Sequence, residues 1–233
     1  MSKRLPVQYK PIDEISDVFD VLTPEQKTFL RSHYTVCTLK KNEFVHREGE
    51  TPTHLFCLKK GKIKITKKGI GEKVQIVRMI KPVHFTGYRA IFAEDSYTTS
   101  GMAVESLVVY LIEKEAFLEL ITQNAQFSRY FLKRLALDLG NADARAVTLT
   151  QKHIRGRLAD SLCMLIDSYG YEEDGITLSV YLSREDLACH SNMTVANAIR
   201  TLSAFAKEKL LTVDGRIIKV IDEDKLRHIS KFG

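Results

Sequence analysis

Residues 183–221 read SREDLACHSNMTVANAIRTLSAFAKEKLLTVDGRIIKVI. Their pattern predicts two short helices, a tight turn between them and a two-stranded wing. Ser183 is a good N-cap, and Asp186 follows at the third helical position, close to a capping box. The first helix turns Leu187 and Ala188 inward and should stop near Ser191-Asn192, since Asn tolerates positive φ. Thr194 can cap a second helix with Ala198, Ile199, Leu202 and Phe205 as its expected buried positions. After Leu210-Leu211 comes a strand, then Asp214-Gly215 as a two-residue hairpin connection, then a second strand over Arg216–Ile221. Helix, turn, helix and wing together make a module for setting a helix in the DNA major groove.

Two amphipathic helices and a hairpin also occur in many α+β domains. The second helix argues against that plainer reading. Its outer face, Val195, Ala196, Asn197, Arg200, Thr201 and Ser203, is short and polar with a single Arg, whereas a solvated helix more often carries Lys and Glu. Arg can pair with guanine and Asn with adenine. Ser183, Thr194, Val195, Ala196, Asn197, Arg200 and Ser203 are therefore the candidate DNA-contacting residues.

With 233 residues the chain can bury a sizeable core and most naturally divides into two domains. Its 44% apolar and 27% charged residues are an ordinary globular composition. No apolar run approaches the roughly 20 residues needed to cross a bilayer. The start, MSKRLPVQYKPIDE, lacks the apolar core of a secretory leader, so a cytoplasmic location is expected. The net charge of +6 suits a polyanionic partner. Residues 150–233, however, hold 12 basic and 12 acidic side chains, so the excess lies in the other half. Much of it is at Lys59, Lys60, Lys62, Lys64, Lys67 and Lys68, most simply the wet face of a strand. Charge thus supports DNA binding modestly, and the motif carries the argument. Cys37, Cys57, Cys163 and Cys189 include no close pair, which excludes a zinc ribbon and a compact iron–sulfur loop and leaves reduced, mostly buried thiols.

Residues 12–34 read as helical, with Thr23-Pro24-Glu25-Gln26 combining an N-cap, a first-position proline and a capping-box Gln. From about 35 to 112 come short β-rich runs with Gly49, Gly61, Gly69, Gly71, Gly87 and Gly101 expected at turns, suggesting a small barrel or sandwich. A helical segment follows Glu113, then a long helix from about Ala125 to Leu149. Leu132, Leu135, Leu139, Ala142, Ala146 and Leu149 recur at 3, 4, 3, 4, 3 along it, the seam of a two-stranded coiled coil. The plainer alternative packs that stripe on the chain's own barrel, but Phe127, Tyr130, Phe131 and Val147 offer another face for that purpose. Homodimerisation is expected. Another helix spans Gln151–Ser168 and ends at Tyr169-Gly170; an acidic turn then leads to a strand, ITLSVYL. The expected organisation is a sensor region over 1–124, a dimerisation helix over 125–150 and a DNA-binding region over 151–233.

This order resembles the Crp/Fnr family of bacterial transcription regulators over nearly the whole chain. The residues carrying the resemblance are HLFCLKKGKIKI, IRGRLADSL, SREDLA with NAIRTLSAF and EKLL, and VDGRIIKV. It implies an α+β fold: an N-terminal β-roll like a cyclic-nucleotide-binding jelly roll, a long dimerisation helix and a C-terminal winged helix-turn-helix. It further implies a small-molecule effector in the β-roll, RNA polymerase as a partner, and a roughly palindromic operator with half-sites about one helical turn apart.

Departures from the family pattern narrow the reading. In cyclic-AMP-binding members, a Gly-Glu pair and a later Arg-Ser pair hold the ribose and the cyclic phosphate. The corresponding positions here are Gly87-Tyr88 and, eleven residues after the Gly, Thr98-Thr99. Losing each charge-assisted partner costs about 1.5–3 kcal/mol, so ordinary cyclic-AMP binding is not expected. Ala142 and Asp143 stand where such members offer hydroxyls to the adenine, and a carboxylate there is unhelpful. Arg89 could rescue an anion site, although on a strand it should point away from Tyr88. Gly87, Tyr88, Arg89, Thr98, Thr99, Ala142 and Asp143 are the candidate effector-pocket residues, with the effector and any cofactor unknown.

The oxygen-sensing branch's N-terminal cysteine cluster has no counterpart before Cys37, and His46, His84 and Cys57 qualify as haem ligands by residue type alone. In the recognition helix, Val195 and Ala196 replace the Arg and Glu that read a TGTGA-like half-site, and Arg200 alone retains a counterpart. Val and Ala could contact a thymine methyl, while Thr194, Asn197 and Ser203 suit phosphate contact and register. A cupin-like metal oxygenase would need closely spaced histidines, and His46, His54 and His84 form no H-x-H pair. No metal site and no nucleophile–base constellation is expected, and the chain is not read as an enzyme.

Overall fold

A computed structural model describes residues 9–233. Residues 1–8, with the part of the leader reading that falls on them, lie outside it. The helices and strands in chain order are α1 (Pro24–Ser32), β1 (Tyr34–Leu39), β2 (Phe44–His46), β3 (His54–Lys60), β4 (Ile63–Lys68), β5 (Val74–Ile80), β6 (Phe85–Thr86), α2 (Tyr88–Ala93), β7 (Ser100–Ala103), β8 (Leu107–Glu113), α3 (Lys114–Gln123), α4 (Ala125–Gln151), α5 (Ile154–Tyr169), α6 (Arg184–His190), α7 (Val195–Lys207), β9 (Leu211–Asp214), β10 (Ile217–Val220) and α8 (Glu223–Phe232). The fold is α+β: a β-roll, a long helix and a winged helix-turn-helix. The chain divides into two compact units, the described residues up to Ile63 with Pro82–Leu137, and Lys64–Lys81 with Asp138–Gly233.

In the first unit an antiparallel sheet runs β1-β8-β3-β6. β8 is central, facing β1 from Tyr34↔Ile112 to Leu39↔Leu107 and β3 at Leu55↔Ile112. Leu55, Phe56, Cys57 and Leu58 of β3 are all buried, so this strand is covered on both faces. Phe85, Phe117, Phe127 and Phe131 fill the core, with Phe131 edge-on to Phe117 at 4.8 Å, to Phe127 at 5.2 Å and to Phe85 at 5.3 Å. Thr23 closes the capping box with Gln26. Asn124 caps α4 through Phe127 N and donates to the Val21 carbonyl, tying the start of the long helix to the N-terminal segment.

Several expectations need correction. Residues 12–34 form two 3-10 turns (Ile12–Glu14 and Asp17–Phe19) and α1 rather than continuous helix. Gly101 lies within β7, where a Cβ would stand 2.8 Å from His46 Nε2, so close packing rather than a turn requires glycine. Lys62 and Lys64 are not on a wet strand face: they pair with Glu105 and Asp186 at 3.0 and 2.6 Å and are largely buried. On α4, Phe127, Tyr130 and Phe131 do join the core, whereas Val147 is 52% exposed.

In the second unit Leu158, Leu162, Leu165, Leu202, Phe205, Leu210, Leu211, Ile218 and Leu226 are buried. Residues 176–182 make two isolated bridges, Tyr171↔Leu178 and Thr177↔Lys219, in place of the expected strand. Asp174 holds the segment's start, its carboxylate accepting from the Ile176 and Thr177 amides. Helix α8 was not anticipated. Asp222 caps it, and Arg227 bonds Asp167 of α5 at 2.6 Å.

Candidate nucleic-acid interface

Both helices of the helix-turn-helix start where their caps dictate. Ser183 Oγ accepts from Asp186 N at 3.0 Å, and Thr194 Oγ1 accepts from Asn197 N at 3.2 Å. Leu187 and Ala188 are buried. Between the helices Asn192 adopts φ 49°, and Met193 N donates to the Ala188 carbonyl at 3.0 Å. These local bonds set the angle at which α7 leaves the turn.

Helix α7 turns Ala198, Leu202 and Phe205 inward. Val195, Ala196, Ile199, Arg200 and Ser203 are all exposed and share the outer face, while Asn197 and Thr201 sit at its half-buried edges. Ile199 corrects the expected core list: it is 46% exposed. Leu202 and Phe205 suffice to seat the helix, and one residue of 100° rotation carries Ile199 away from buried Ala198. Asn197 Oδ1 accepts from Arg200 Nη2 at 2.5 Å, so the amide steadies the guanidinium on the helix surface.

The wing is antiparallel, with Ile217 opposite Asp214. The connecting pair is therefore Gly215-Arg216, one residue later than expected, and only Gly215 has positive φ (53°). Arg184 Nη2 donates to the Gly215 carbonyl at 2.7 Å, fastening the wing tip to the first residue of α6. Arg155 pairs with Glu208 at 2.5 Å and covers the Phe205 ring, bracing the far end of α7.

Polar groups that sequence reasoning missed support α6 from behind. Within the second unit, Arg145 on α4 donates to the Ile76 carbonyl at 2.9 Å and to the His190 carbonyl at 2.5 Å. Lys64 meets Asp186 at 2.6 Å, and Arg78 pairs with Asp138. The His190 ring is fully enclosed; burial first, then the neighbouring Arg145 charge, pushes its pKa down to about 3. A lone cation between Ala142 and Ala146 was the available signal for Arg145. Nothing local marks Lys64 and Asp186 as partners across 122 residues.

The effector-pocket candidates fall as follows. Gly87 has φ +100° and opens α2, so Tyr88 and Arg89 are helical rather than on a strand. Tyr88 is buried, edge-on to Phe131 at 5.7 Å, and Arg89 is exposed. Thr98 is exposed and Thr99 half-buried, next to Tyr97, which stacks on His46 at 4.3 Å. Ala142 and Asp143 are exposed on α4 in the other unit. A cleft of about 310 Å³ in the first unit, bordered by Thr51, Glu94, Asp95 and Lys114, includes none of the seven. Among the described residues no cluster of His, Cys, Asp and Glu could hold a metal, and no helix is long and apolar enough to cross a membrane.

Comparison with known proteins gives two family matches, a cyclic nucleotide-binding domain over residues 36–124 and a Crp-like helix-turn-helix domain over residues 156–229. The chain belongs to the Crp/Fnr family. It is similar to the anaerobic regulatory protein of Bacillus subtilis, 26% identical over 203 residues and 85% of each chain. It also resembles the CRP-like cAMP-activated global transcriptional regulator of Mycobacterium tuberculosis, 21% identical over 92% of this chain and 98% of that one. Among solved structures, FixK2 from Bradyrhizobium japonicum shares the fold with a TM-score of 0.74 at 19% identity, covering 84% of this chain and 96% of that one. A Crp/Fnr-family regulator from Thermus thermophilus does so at 0.69 and 17%, covering 84% and 98%. As a Crp/Fnr chain, this one presents a second helix of the helix-turn-helix whose outer face from Val195 to Ser203 holds one cation, short polar groups and an unexpected isoleucine.

Proposed function

We propose that this Crp/Fnr-family chain is a homodimeric, sequence-specific DNA-binding transcription regulator, controlled through its β-roll by an effector other than ordinary cyclic AMP. The outer face of α7 carries this reading: Arg200 steadied by Asn197, flanked by Thr194 and Ser203, with no acidic side chain between residues 195 and 207. Such a face is poorly suited to bulk water and well suited to a groove that offers guanine acceptors, thymine methyls and phosphates. Ser183 and Thr194 would set the register on phosphates, Arg200 would read a G·C pair, and Val195 and Ala196 would lie against base edges.

Dimerisation is supported by the α4 seam. Leu132 and Leu139 are each 65% exposed in the single chain, and Ala142 and Ala146 continue the stripe. A second copy of this helix would cover them. In the working organisation, residues 1–124 sense, 125–150 dimerise and 151–233 bind a palindromic operator, with RNA polymerase as the downstream partner in the cytoplasm. Gly87, Tyr88, Arg89, Thr98, Thr99, Ala142 and Asp143 remain the effector candidates. Burial of Tyr88 where cyclic-AMP-binding members place the ribose carboxylate agrees with a different effector.

Selection of bound duplexes from a random pool, with and without cell-extract metabolites, tests the proposal. A recovered palindrome supports it, and dependence on extract identifies the switch. Recovery of no preferred sequence by a protein that sediments as a single subunit would overturn it.

A further inference from the structure

The outer face of α7 holds a feature that Arg200 does not explain. Val195 and Ile199 lie one helical turn apart, are 38% and 46% exposed, and have Ala196 between them. Residues four apart on a helix are neighbours, so the two β-branched side chains form one apolar strip. Single exposed hydrophobics are ordinary on soluble proteins. This strip differs in its setting, because each member is a weak helix former and the inner face is already seated by Ala198, Leu202 and Phe205. Beside the strip stands Arg200, anchored to Asn197. A protein-docking helix would surround its apolar strip with further large apolar groups, whereas this one is bordered by Thr194, Asn197, Arg200 and Ser203.

Resting on the recognition-helix reading above, we infer that Val195 and Ile199 together determine specificity by packing on the 5-methyl groups of thymines, immediately beside the G·C pair read by Arg200. Thymine alone presents a methyl group to the major groove, and a branched aliphatic side chain discriminates it by burying that methyl rather than by hydrogen bonding. Ile199, at the centre of the exposed face, is the principal reader, and Val195 extends the contact toward the N-terminus of α7.

The test uses the full-length protein and its selected operator, with each thymine replaced in turn by deoxyuridine. This change removes one methyl and leaves every hydrogen-bonding group intact. Burying one methyl should be worth about fourfold in affinity, so one or two thymines next to the Arg200-read pair should show a loss of that size. Ile199→Ala should weaken binding to the thymine operator and make the uracil operator equivalent to it, while thermal stability stays unchanged because the side chain is exposed. Ile199→Val should retain part of the thymine preference. Uracil substitution that is neutral at every thymine of a specifically bound operator would sink the inference and leave the regulator reading intact. A change in sedimentation of Ile199→Ala with undiminished thymine preference would assign the strip to a protein contact and equally overturn it. If no operator is selected at all, the broader reading fails first.

Discussion

Helices α4 and α7 each leave an apolar strip uncovered, and the two strips differ in composition. That of α4 is leucine and alanine at heptad spacing, Leu132, Leu139, Ala142 and Ala146, while Leu135 packs on the core of its own unit and Leu149 is half-buried. That of α7 is short and β-branched, and a guanidinium and hydroxyls interrupt it. Leucines, branched at Cγ rather than Cβ, match knobs to the holes of a like helix when they recur at heptad spacing. A strip mixing methyls, one fixed cation and short polar groups matches the base edges and phosphates of a duplex. Exposed hydrophobicity is therefore informative here through its spacing and its neighbours, not its amount.

The strongest way to break this comparison is to replace Leu132 and Leu139 together by Glu. Each leucine buried at a dimer seam contributes about 1.5–3 kcal/mol, and two-fold symmetry counts each twice. The dimer dissociation constant should rise roughly a thousandfold or more, with operator binding lost in parallel. Sedimentation at micromolar concentration reads this directly. An unchanged dimer would place the seam elsewhere.

Arg145→Met probes what holds α6 behind the recognition helix. Its guanidinium serves the Ile76 and His190 carbonyls, and losing such charge-assisted bonds should lower stability by about 1.5–3 kcal/mol. The His190 pKa should rise at the same time, since the Arg145 charge is one of its two depressing influences. Denaturant titration and NMR of the ring measure the two effects separately. On α7, Arg200→Ala should cost about 1–3 kcal/mol of operator affinity and relax preference at one base pair. An unaltered selected operator would remove Arg200 from base reading.

Two smaller effects sharpen the picture. His190 holds its proton less well folded than unfolded, with a pKa near 3 against an ordinary 6.5. The unfolded state therefore binds more protons below pH 6.5. Stability is full above that value and declines as pH falls toward about 3, by at most about 1.4 kcal/mol per pH unit. Unfolding free energies between pH 6.5 and 4.5, compared with those of His190→Asn, should show the variant's slope reduced. Thr194→Ala removes the cap of α7 and should cost about 1 kcal/mol, measurable as a shift in the denaturant midpoint.

Much of the helix-turn-helix was legible because its determinants are local. Ser183 and Thr194 cap the helices, Asn192 turns between them, and Gly215 turns the wing, all through bonds within a few residues. The one-residue slip of the wing turn arose because Asp214 can occupy either a strand or a turn, and pairing with Ile217 decided it. Ile199 was misplaced because hydrophobicity predicts burial only when a partner surface exists, and Leu202 and Phe205 already occupied it. Helix α8 escaped notice although Asp222 offers a cap, since its apolar side is narrow, with Leu226 its only buried residue.

The amino-acid sequence by itself determined most of the element types, the caps of the helix-turn-helix, the heptad stripe and the family, because each follows from spacing along one segment or from a motif. Only the tertiary structure decided that Arg145 joins Ile76 to His190, that Lys64 finds Asp186, and that Ile199 faces outward. Those outcomes depend on which surfaces distant segments bring together, and pairings across such separations leave no periodic trace in the chain.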